Sequence, residues 1–347
     1  MSMLITRTPF RISFFGGGTD YPSWYCKEKG AVLATSIDKY CHITCRYLPP
    51  FFSNTYRIVW SHVEMVSSIS EILHPAVREG LRMMGYSDRR GIELHHQGDL
   101  PARAGMGSSS AFANGLLLAL SALKGETFDQ TALYLKSIDL EQNWLKDNVG
   151  SQDQVTTAVG GLNIIHFGND GKVDIEPLVI SNDRLSALND RLMLFYAGTS
   201  RMATDIAGSM IRGLDDHASE LRDIYALVFE AAKILRGESD LDGFGRLLHQ
   251  TWRLKRRLSP AITTSTIDNI YETAQKNGAI GGKLLGAGGT GFMLFYVPPE
   301  RQPDVIRSLT HLVHVPFRFE SDGCVLIRPQ SFHEEDAAKA GLRTTTT

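Results

Sequence analysis

The stretch Leu100-Pro101-Ala102-Arg103-Ala104-Gly105-Met106-Gly107-Ser108-Ser109-Ser110-Ala111 has residue types and spacing that could do chemistry. Gly105 and Gly107 allow positive φ and a close backbone approach to a ligand. Ser108, Ser109 and Ser110 stand at the entrance of an apolar helical run (Phe112, Leu116, Leu117, Leu118, Leu120). The first N–H groups of such a helix have no internal partner, and a serine can cap it. Those donors and the helix dipole suit an anion, most often phosphate. An ordinary capped loop is the other reading of this segment taken alone. The spacing is neither the Walker loop nor the Gly-x-Gly-x-x-Gly dinucleotide fingerprint.

Two further stretches are rich in glycine. Gly16-Gly17-Gly18-Thr19-Asp20 follows a strand and permits a tight turn or a close ligand approach. Gly281 to Gly291 holds six glycines in eleven residues, which core packing does not explain. Glu141 lies twelve residues before Asp153, near the end of one helix and the start of the next segment. Each alone reads as a solvated helix carboxylate or a cap. His95 and His96 are adjacent, so on a strand they face opposite sides and make a poor metal pair.

The elements that must position these residues are legible in outline. Leu4 to Phe15 reads as two short strands broken near Pro9. Ala31–Tyr47, Tyr56–Trp60 and Gly91–His96 read as further strands. Helical patterns cover about 71–84, 109–123 and 130–146. Leu162–His166 and Lys172–Pro177 form a hairpin around Gly168-Asn169-Asp170-Gly171. The polar stretch 181–189 reads as a domain junction. After a strand at 191–196 come helical runs at 203–212, 215–236, 241–258 and 264–276. A strand (292–297), a helix (300–312) and two strands (316–320, 324–327) then close the second domain.

The chain has 347 residues, 43% hydrophobic and 21% charged, with a formal net charge of −2. That length suits two domains sharing a cleft. The near-neutral balance argues against nucleic-acid binding through a general basic surface. Cys26, Cys41, Cys45 and Cys324 form neither a dense disulfide framework nor a zinc pattern. Buried free thiols are expected, which suits a reducing cytoplasm. No apolar run is long enough to span a bilayer, and no signal-peptide layout precedes the first strand. A monomer and a homodimer both stay open.

Four segments, in order, resemble the signatures of the GHMP small-molecule kinases: Pro9-Phe10-Arg11-Ile12-Ser13-Phe14-Phe15-Gly16-Gly17-Gly18-Thr19-Asp20, the Pro101–Ser110 loop, Gly150-Ser151-Gln152-Asp153-Gln154, and Lys283–Gly291. Met106, Ser110 and Thr290 depart mildly from the usual Leu, Ala and Gly. Gly17 and Gly18 replace a Glu and a His that line the sugar site of galactokinases, which puts galactose itself in doubt.

The resemblance implies an α+β GHMP kinase fold. Residues 1–188 would form a ribosomal protein S5 domain 2-like amino-terminal domain, and 189–330 a ferredoxin-like carboxyl-terminal domain. Residues 331–347 would be a flexible tail. It implies ATP and Mg²⁺ as cofactors and a small-molecule sugar phosphate as substrate. Pro101, Gly105, Met106, Gly107, Ser108, Ser109 and Ser110 would hold the nucleotide phosphates. Ser109 and Glu141 would ligate Mg²⁺. Asp153 would take the acceptor's proton or orient its hydroxyl, with Arg11 beside it offsetting charge. Gly17, Gly18, Thr19, Asp20, Arg201, Lys283, Gly288 and Gly289 are expected around the acceptor.

The three-glycine form and the Gly198–Arg201 turn are similar to the heptose-phosphate kinase branch. The implied reaction there is phosphorylation of an anomeric hydroxyl. Arg201, Lys255, Arg256 and Lys283 are then candidates for holding the acceptor's own phosphate, each with a structural role as the alternative. Two other readings stay open: a kinase for an unphosphorylated sugar such as fucose, and a non-catalytic sugar/ATP sensor. The joint presence of Arg11, Ser109, Glu141 and Asp153 argues against the sensor.

Overall fold

Strands β1 (Leu4–Phe15) and β2 (Gly30–Tyr47) form the spine of a nine-stranded sheet in a computed structural model, which describes residues 3–198 and 203–327. β2 runs for 18 residues, and its Val, Ile, Thr and Tyr content suits a pleated, half-buried surface. β1 is one strand of 12 residues, not two. Pro9 cannot donate to the ladder, and the register shifts between Pro9 and Phe10 instead of ending. One side of the sheet continues through β5 (Ile92–Gly98) and β3 (Tyr56–Val59) to β4 (Val63–Val66), a short strand that the sequence pattern does not reveal. The hairpin of β6 (Leu162–Phe167) and β7 (Val173–Pro177) pairs with the first half of β2.

Helices cover this sheet. After α1 (Pro22–Tyr25) and α2 (Pro75–Met83), α3 (Ser108–Lys124) lies over β1 and β2. It buries Leu116, Leu117 and Leu120 completely, each worth about 2 kcal/mol of apolar transfer. The helix expected over 130–146 is shorter. α4 (Gln130–Asp139), capped by Asp129 Oδ1 on the Ala132 N–H at 2.7 Å, gives way to a π-helical turn at Leu140–Trp144. α5 (Gln152–Val159) follows. The polar stretch 181–189, read from the sequence as a domain junction, carries a short helix, α6 (Asn182–Asn189), capped by Ser181 on the Arg184 N–H. Its Arg184 donates to the carbonyls of Ile234 (2.6 Å) and Leu235 (2.8 Å), a tertiary tie that the local pattern does not show.

The second sheet is built from β8 (Leu192–Tyr196), β9 (Gly281–Leu284), β10 (Phe292–Tyr296) and β11 (Val313–His314). Its order, β11-β8-β10-β9, is antiparallel throughout and is the 4-1-3-2 order of a ferredoxin-like unit. Between β8 and β9 come α7 (Ala203–Arg212), α8 (Ala218–Arg236), α9 (Asp242–Arg257) and α10 (Ser265–Lys276). α11 (Gln302–Ser308) precedes β11. β9 is glycine-rich because α9 lies directly on it: a Cβ at Gly281 would sit 1.9 Å from the Gly245 carbonyl oxygen.

The end of the described chain returns to the first sheet. β12 (Phe319–Glu320) pairs with β2, and β13 (Val325–Ile327) pairs with β1. The expectation that these strands close the second domain is corrected by that pairing. Cys41, Cys45 and Cys324 are buried free thiols, whereas Cys26 is exposed. Among the described residues no helix is long and apolar enough to cross a membrane.

Candidate active site

The loop before α3 is held from two sides. Arg11 of β1 donates its backbone N–H to the Met106 carbonyl (3.1 Å) and its Nη1 to the Gly105 carbonyl (2.7 Å). From the other side, the Gly286 turn lies backbone to backbone on Gly105. A Cβ on Gly105 would sit 2.4 Å from the Leu285 carbonyl oxygen, and one on Gly286 would sit 2.4 Å from the Gly105 Cα. The Phe292 N–H adds a bond to the Ala104 carbonyl (3.2 Å). The third glycine-rich stretch therefore braces the first. Gly288 and Gly289 pack on Ile262, whose carbonyl accepts from the Gly289 N–H (2.9 Å).

The loop ends at Gly107, with φ 74°, and α3 begins at Ser108. The Ala111 N–H makes the first helical bond, to the Gly107 carbonyl. The preceding amides have no intrahelical partner, the arrangement that suits an anion at a helix end. The three serines have different fates. Ser108 Oγ accepts from the Arg103 N–H (3.2 Å), Ser109 is exposed at the helix mouth, and Ser110 is buried and donates to Glu141 Oε2 (2.6 Å). Pro101 is exposed at the loop's start and Met106 is buried beneath it.

Glu141 sits in the π-helical turn, a local expansion frequent at functional sites. It is 1% exposed. Oε2 accepts from Ser110 and from Gln154 Nε2 (2.5 Å), while Oε1 has no partner. Burial pushes its carboxyl up to about 7, against the hydrogen bonds from Ser110 and Gln154, and the nearby Asp153 charge adds to the rise. A buried carboxylate oxygen without a partner, beside serine hydroxyls, fits a hard divalent cation with oxygen ligands.

Asp153 stands in the first turn of α5 and is gripped by Arg11, Nε to Oδ1 and Nη2 to Oδ2, both at 2.6 Å. Asp20 lies alongside. Its Oδ1 accepts from the Gly18 N–H (3.0 Å), its Oδ2 from the Gln152 N–H (3.4 Å), and its backbone carbonyl from the Ser151 N–H (2.9 Å). Asp20 thus ties the first glycine loop to the segment that presents Asp153. Burial raises its carboxyl to about 6, with the Asp153 charge contributing.

The other residues expected around the acceptor are placed unevenly. Gly17 borders Ser13 Oγ and Gln152 Nε2, at 3.9 and 3.7 Å from where a Cβ would sit. Gly18 packs against Leu221 and Leu258. Thr19 is fully buried, its hydroxyl donating to the Gly16 and Ala31 carbonyls, so its side chain faces the fold and not a ligand. Arg201 lies outside the described residues.

Lys283 is buried, and its Nζ crosses to β1 to donate to the Ser13 and Phe14 carbonyls, each at 2.9 Å. Lys255 Nζ donates to the carbonyls of Leu284 (3.0 Å) and Gly286 (2.5 Å). Burial lowers both amines, Lys255 to about 7 and Lys283 well below the usual lysine range. Arg256 pairs with Asp268 at 2.9 Å. Sequence reasoning did not single out Ser13 and Gln152, whose side chains border Gly17, although both fall inside the kinase-like signatures. It also missed the support that Lys255 gives to the Gly286 turn.

Trp60 belongs to a half-buried ring cluster. His62 and His74 contact it edge-on, and His74 stacks on Phe112 of α3 at 4.7 Å. Burial lowers the His74 imidazole to about 4 and lowers His96 as well, so these rings are neutral near pH 7.

Comparison with known proteins finds similar sequences and folds. The family model described as GHMP kinases N terminal domain matches residues 71–161, and that described as GHMP kinases C terminal matches residues 229–311. The chain is 28% identical over 332 residues to a D-glycero-alpha-D-manno-heptose 7-phosphate kinase of Campylobacter jejuni, covering 89% of this chain and 94% of that protein. It is 24% identical to the bifunctional fucokinase/GDP-fucose pyrophosphorylase of Arabidopsis thaliana, covering 86% of this chain and 30% of that protein. Its fold is similar to the crystal structure of a D-glycero-D-manno-heptose 1-phosphate kinase from Bacteriodes thetaiotaomicron. The TM-score is 0.77 at 20% identity, covering 94% of this chain and all of that one. A Lactococcus lactis galactokinase complexed with galactose superposes with a TM-score of 0.69 at 17% identity, covering 93% and 95%.

Proposed function

This chain belongs to the GHMP kinase family, and from that premise we propose that it transfers the γ-phosphoryl group of ATP to the anomeric hydroxyl of D-glycero-D-manno-heptose 7-phosphate, giving the 1,7-bisphosphate. The product would feed GDP-heptose and surface polysaccharide synthesis. The observation that carries the reading is Asp153, held by Arg11 beside a loop that opens an anion-binding helix end.

Phosphoryl transfer needs positioning and charge stabilisation more than covalent chemistry. The Gly105–Ser109 amides hold the nucleotide phosphates. Asp153 takes the proton from the attacking hydroxyl or aligns it, and Arg11 keeps the carboxylate in place. Mg²⁺ neutralises phosphate charge when bound, and Glu141 with the Ser109 hydroxyl would hold it.

A second reading, an unphosphorylated acceptor such as fucose, is favoured by one observation. Lys255 and Lys283 spend their donors on backbone carbonyls and Arg256 is paired with Asp268, so these three are committed elsewhere. Coupled ADP release with MgATP separates the readings, using the heptose 7-phosphate, the free heptose, fucose, galactose and mevalonate. Turnover confined to the heptose phosphate supports the first. Equal or better turnover with a free sugar replaces it with the second, and turnover with mevalonate alone overturns both.

A further inference from the structure

Two buried polar atoms near Asp153 have no partner inside the protein: Ser13 Oγ and Gln152 Oε1. Ser13 lies on β1 two residues after Arg11 and is 6% exposed. Gln152 begins α5 and immediately precedes Asp153, and its backbone N–H is fixed by Asp20. Gly17 stands between the two side chains. A Cβ there would lie 3.7 Å from Gln152 Nε2 and 3.9 Å from Ser13 Oγ, with no other non-adjacent atom within 4 Å. Within 4 Å, the position that a Gly17 side chain would take is bordered only by the Ser13 hydroxyl and the carboxamide nitrogen of Gln152, whose Oε1 is the unpartnered atom. A buried hydroxyl or amide oxygen left without a hydrogen bond is costly, and such orphans in a folded protein point to an absent partner.

We propose that Ser13 and Gln152 bind hydroxyl groups of the acceptor, adjacent to the hydroxyl presented to Asp153, in the gap that the missing side chain of Gly17 leaves. The inference rests on the sugar-kinase reading and deepens it by naming residues that select the acceptor. The chemistry favours a neutral polyol face. A serine hydroxyl and a carboxamide each donate and accept, as a sugar hydroxyl does, whereas a phosphate or carboxylate bound there would call for cations. Among the described residues, the cations next to the gap are already directed elsewhere: Lys283 to the Ser13 and Phe14 carbonyls, Arg11 to Asp153 and the Gly105 carbonyl. Gly17 sets the size of the gap. Its φ lies outside the left-handed region and a methyl there would make only ordinary van der Waals contacts, so alanine folds normally and narrows the gap by one methyl.

The test is steady-state kinetics on the full chain with MgATP and whichever of the heptose 7-phosphate, free heptose or fucose it turns over, for the wild type and Ser13→Ala, Gln152→Met and Gly17→Ala. Each variant is expected to raise the acceptor KM about tenfold, the loss of one ordinary hydrogen bond or its equivalent. The KM for MgATP should stay at its wild-type value, and the melting temperature should not fall. An acceptor lacking one ring hydroxyl adds the decisive comparison. The wild type should discriminate against the deoxy sugar that removes the bound hydroxyl, and Ser13→Ala or Gln152→Met should lose that discrimination. Wild-type acceptor KM in all three variants overturns this inference and leaves the kinase reading standing. A joint rise in both KM values with a lower melting temperature also overturns it, in favour of a packing role. Absence of turnover with every sugar overturns both readings together.

Discussion

Arg11 holds Asp153 through two parallel hydrogen bonds of 2.6 Å, and the pair is asymmetric in exposure: the arginine side chain is 4% exposed and the aspartate 25%. The guanidinium is thus part of the protein's interior, while the carboxylate keeps one face exposed. A planar fork suits this geometry in a way that an ammonium cannot match.

That arrangement makes Asp153 the residue whose loss should matter most to turnover. Asp153→Asn is expected to lower kcat by roughly 10²- to 10⁴-fold, the usual worth of a positioned proton acceptor, with little change in the KM for MgATP. A loss below about tenfold would restrict Asp153 to orienting the hydroxyl. Arg11→Lys keeps the charge but not the two-pronged grip, so it too should lose kcat. Initial rates under saturating substrates decide both.

Glu141 predicts a pH dependence of stability. Its folded value, about 7, lies above the ordinary 4.5, so between those values the folded protein holds more protons than the unfolded chain. Its contribution is therefore full at low pH and is lost as pH rises through about 7. Asp20, raised to about 6, acts in the same direction. Glu141→Gln should flatten the fall in stability and, without nucleotide or metal, stabilise the protein at pH 7 by up to roughly 3 kcal/mol. The same variant should shrink the stabilisation given by MgATP. Urea titrations from pH 4.5 to 8, with and without MgATP, test both signs.

Lys255 predicts the opposite slope at higher pH. Its amine is lowered from 10.5 to about 7 by burial, so above that value the unfolded chain binds the extra proton. Stability contributed through Lys255 should rise as pH climbs from about 7 toward 10. Lys255→Met should reduce that rise, though Lys283 keeps part of it. The variant also frees the Leu284 and Gly286 carbonyls, and a higher KM for MgATP is expected because the Gly286 turn braces Gly105. A wild-type KM would show that the brace stands without the lysine.

Gly286→Ala tests the brace directly. The added Cβ would meet the Gly105 Cα at 2.4 Å, and the φ of 72° already disfavours any side chain. A destabilisation of about 1–3 kcal/mol is expected, together with weaker nucleotide binding. Thermal unfolding and nucleotide titration read the two effects separately. Loss of stability with unaltered nucleotide affinity would refute the coupling of the two loops.

How far each feature was legible depended on whether its cause was local. The three glycine loops, Arg11, Glu141 and Asp153 stand out in the chain because close backbone approach and helix-end chemistry demand particular residue types at short spacing. The hairpin around Gly168–Gly171 and the helices after residue 203 were legible for the same reason. The helix at 182–189 was not, because a short polar helix held by Arg184 on distant carbonyls leaves little periodicity to read.

By itself the sequence determined the loops, the charges near them and the alternation of strands and helices, since these follow from φ preferences and hydrophobic period. The tertiary structure alone decided which surfaces meet. It returned β12 and β13 to the first sheet, turned Thr19 inward, set Asp20 on the amides of Gly18 and Gln152, and buried Lys255 and Lys283 against carbonyls. It also left Ser13 Oγ and Gln152 Oε1 without partners near Gly17. A side chain's hydrogen-bond partner and its desolvation depend on what lies across the fold, often more than a hundred residues away, and no local pattern carries that information.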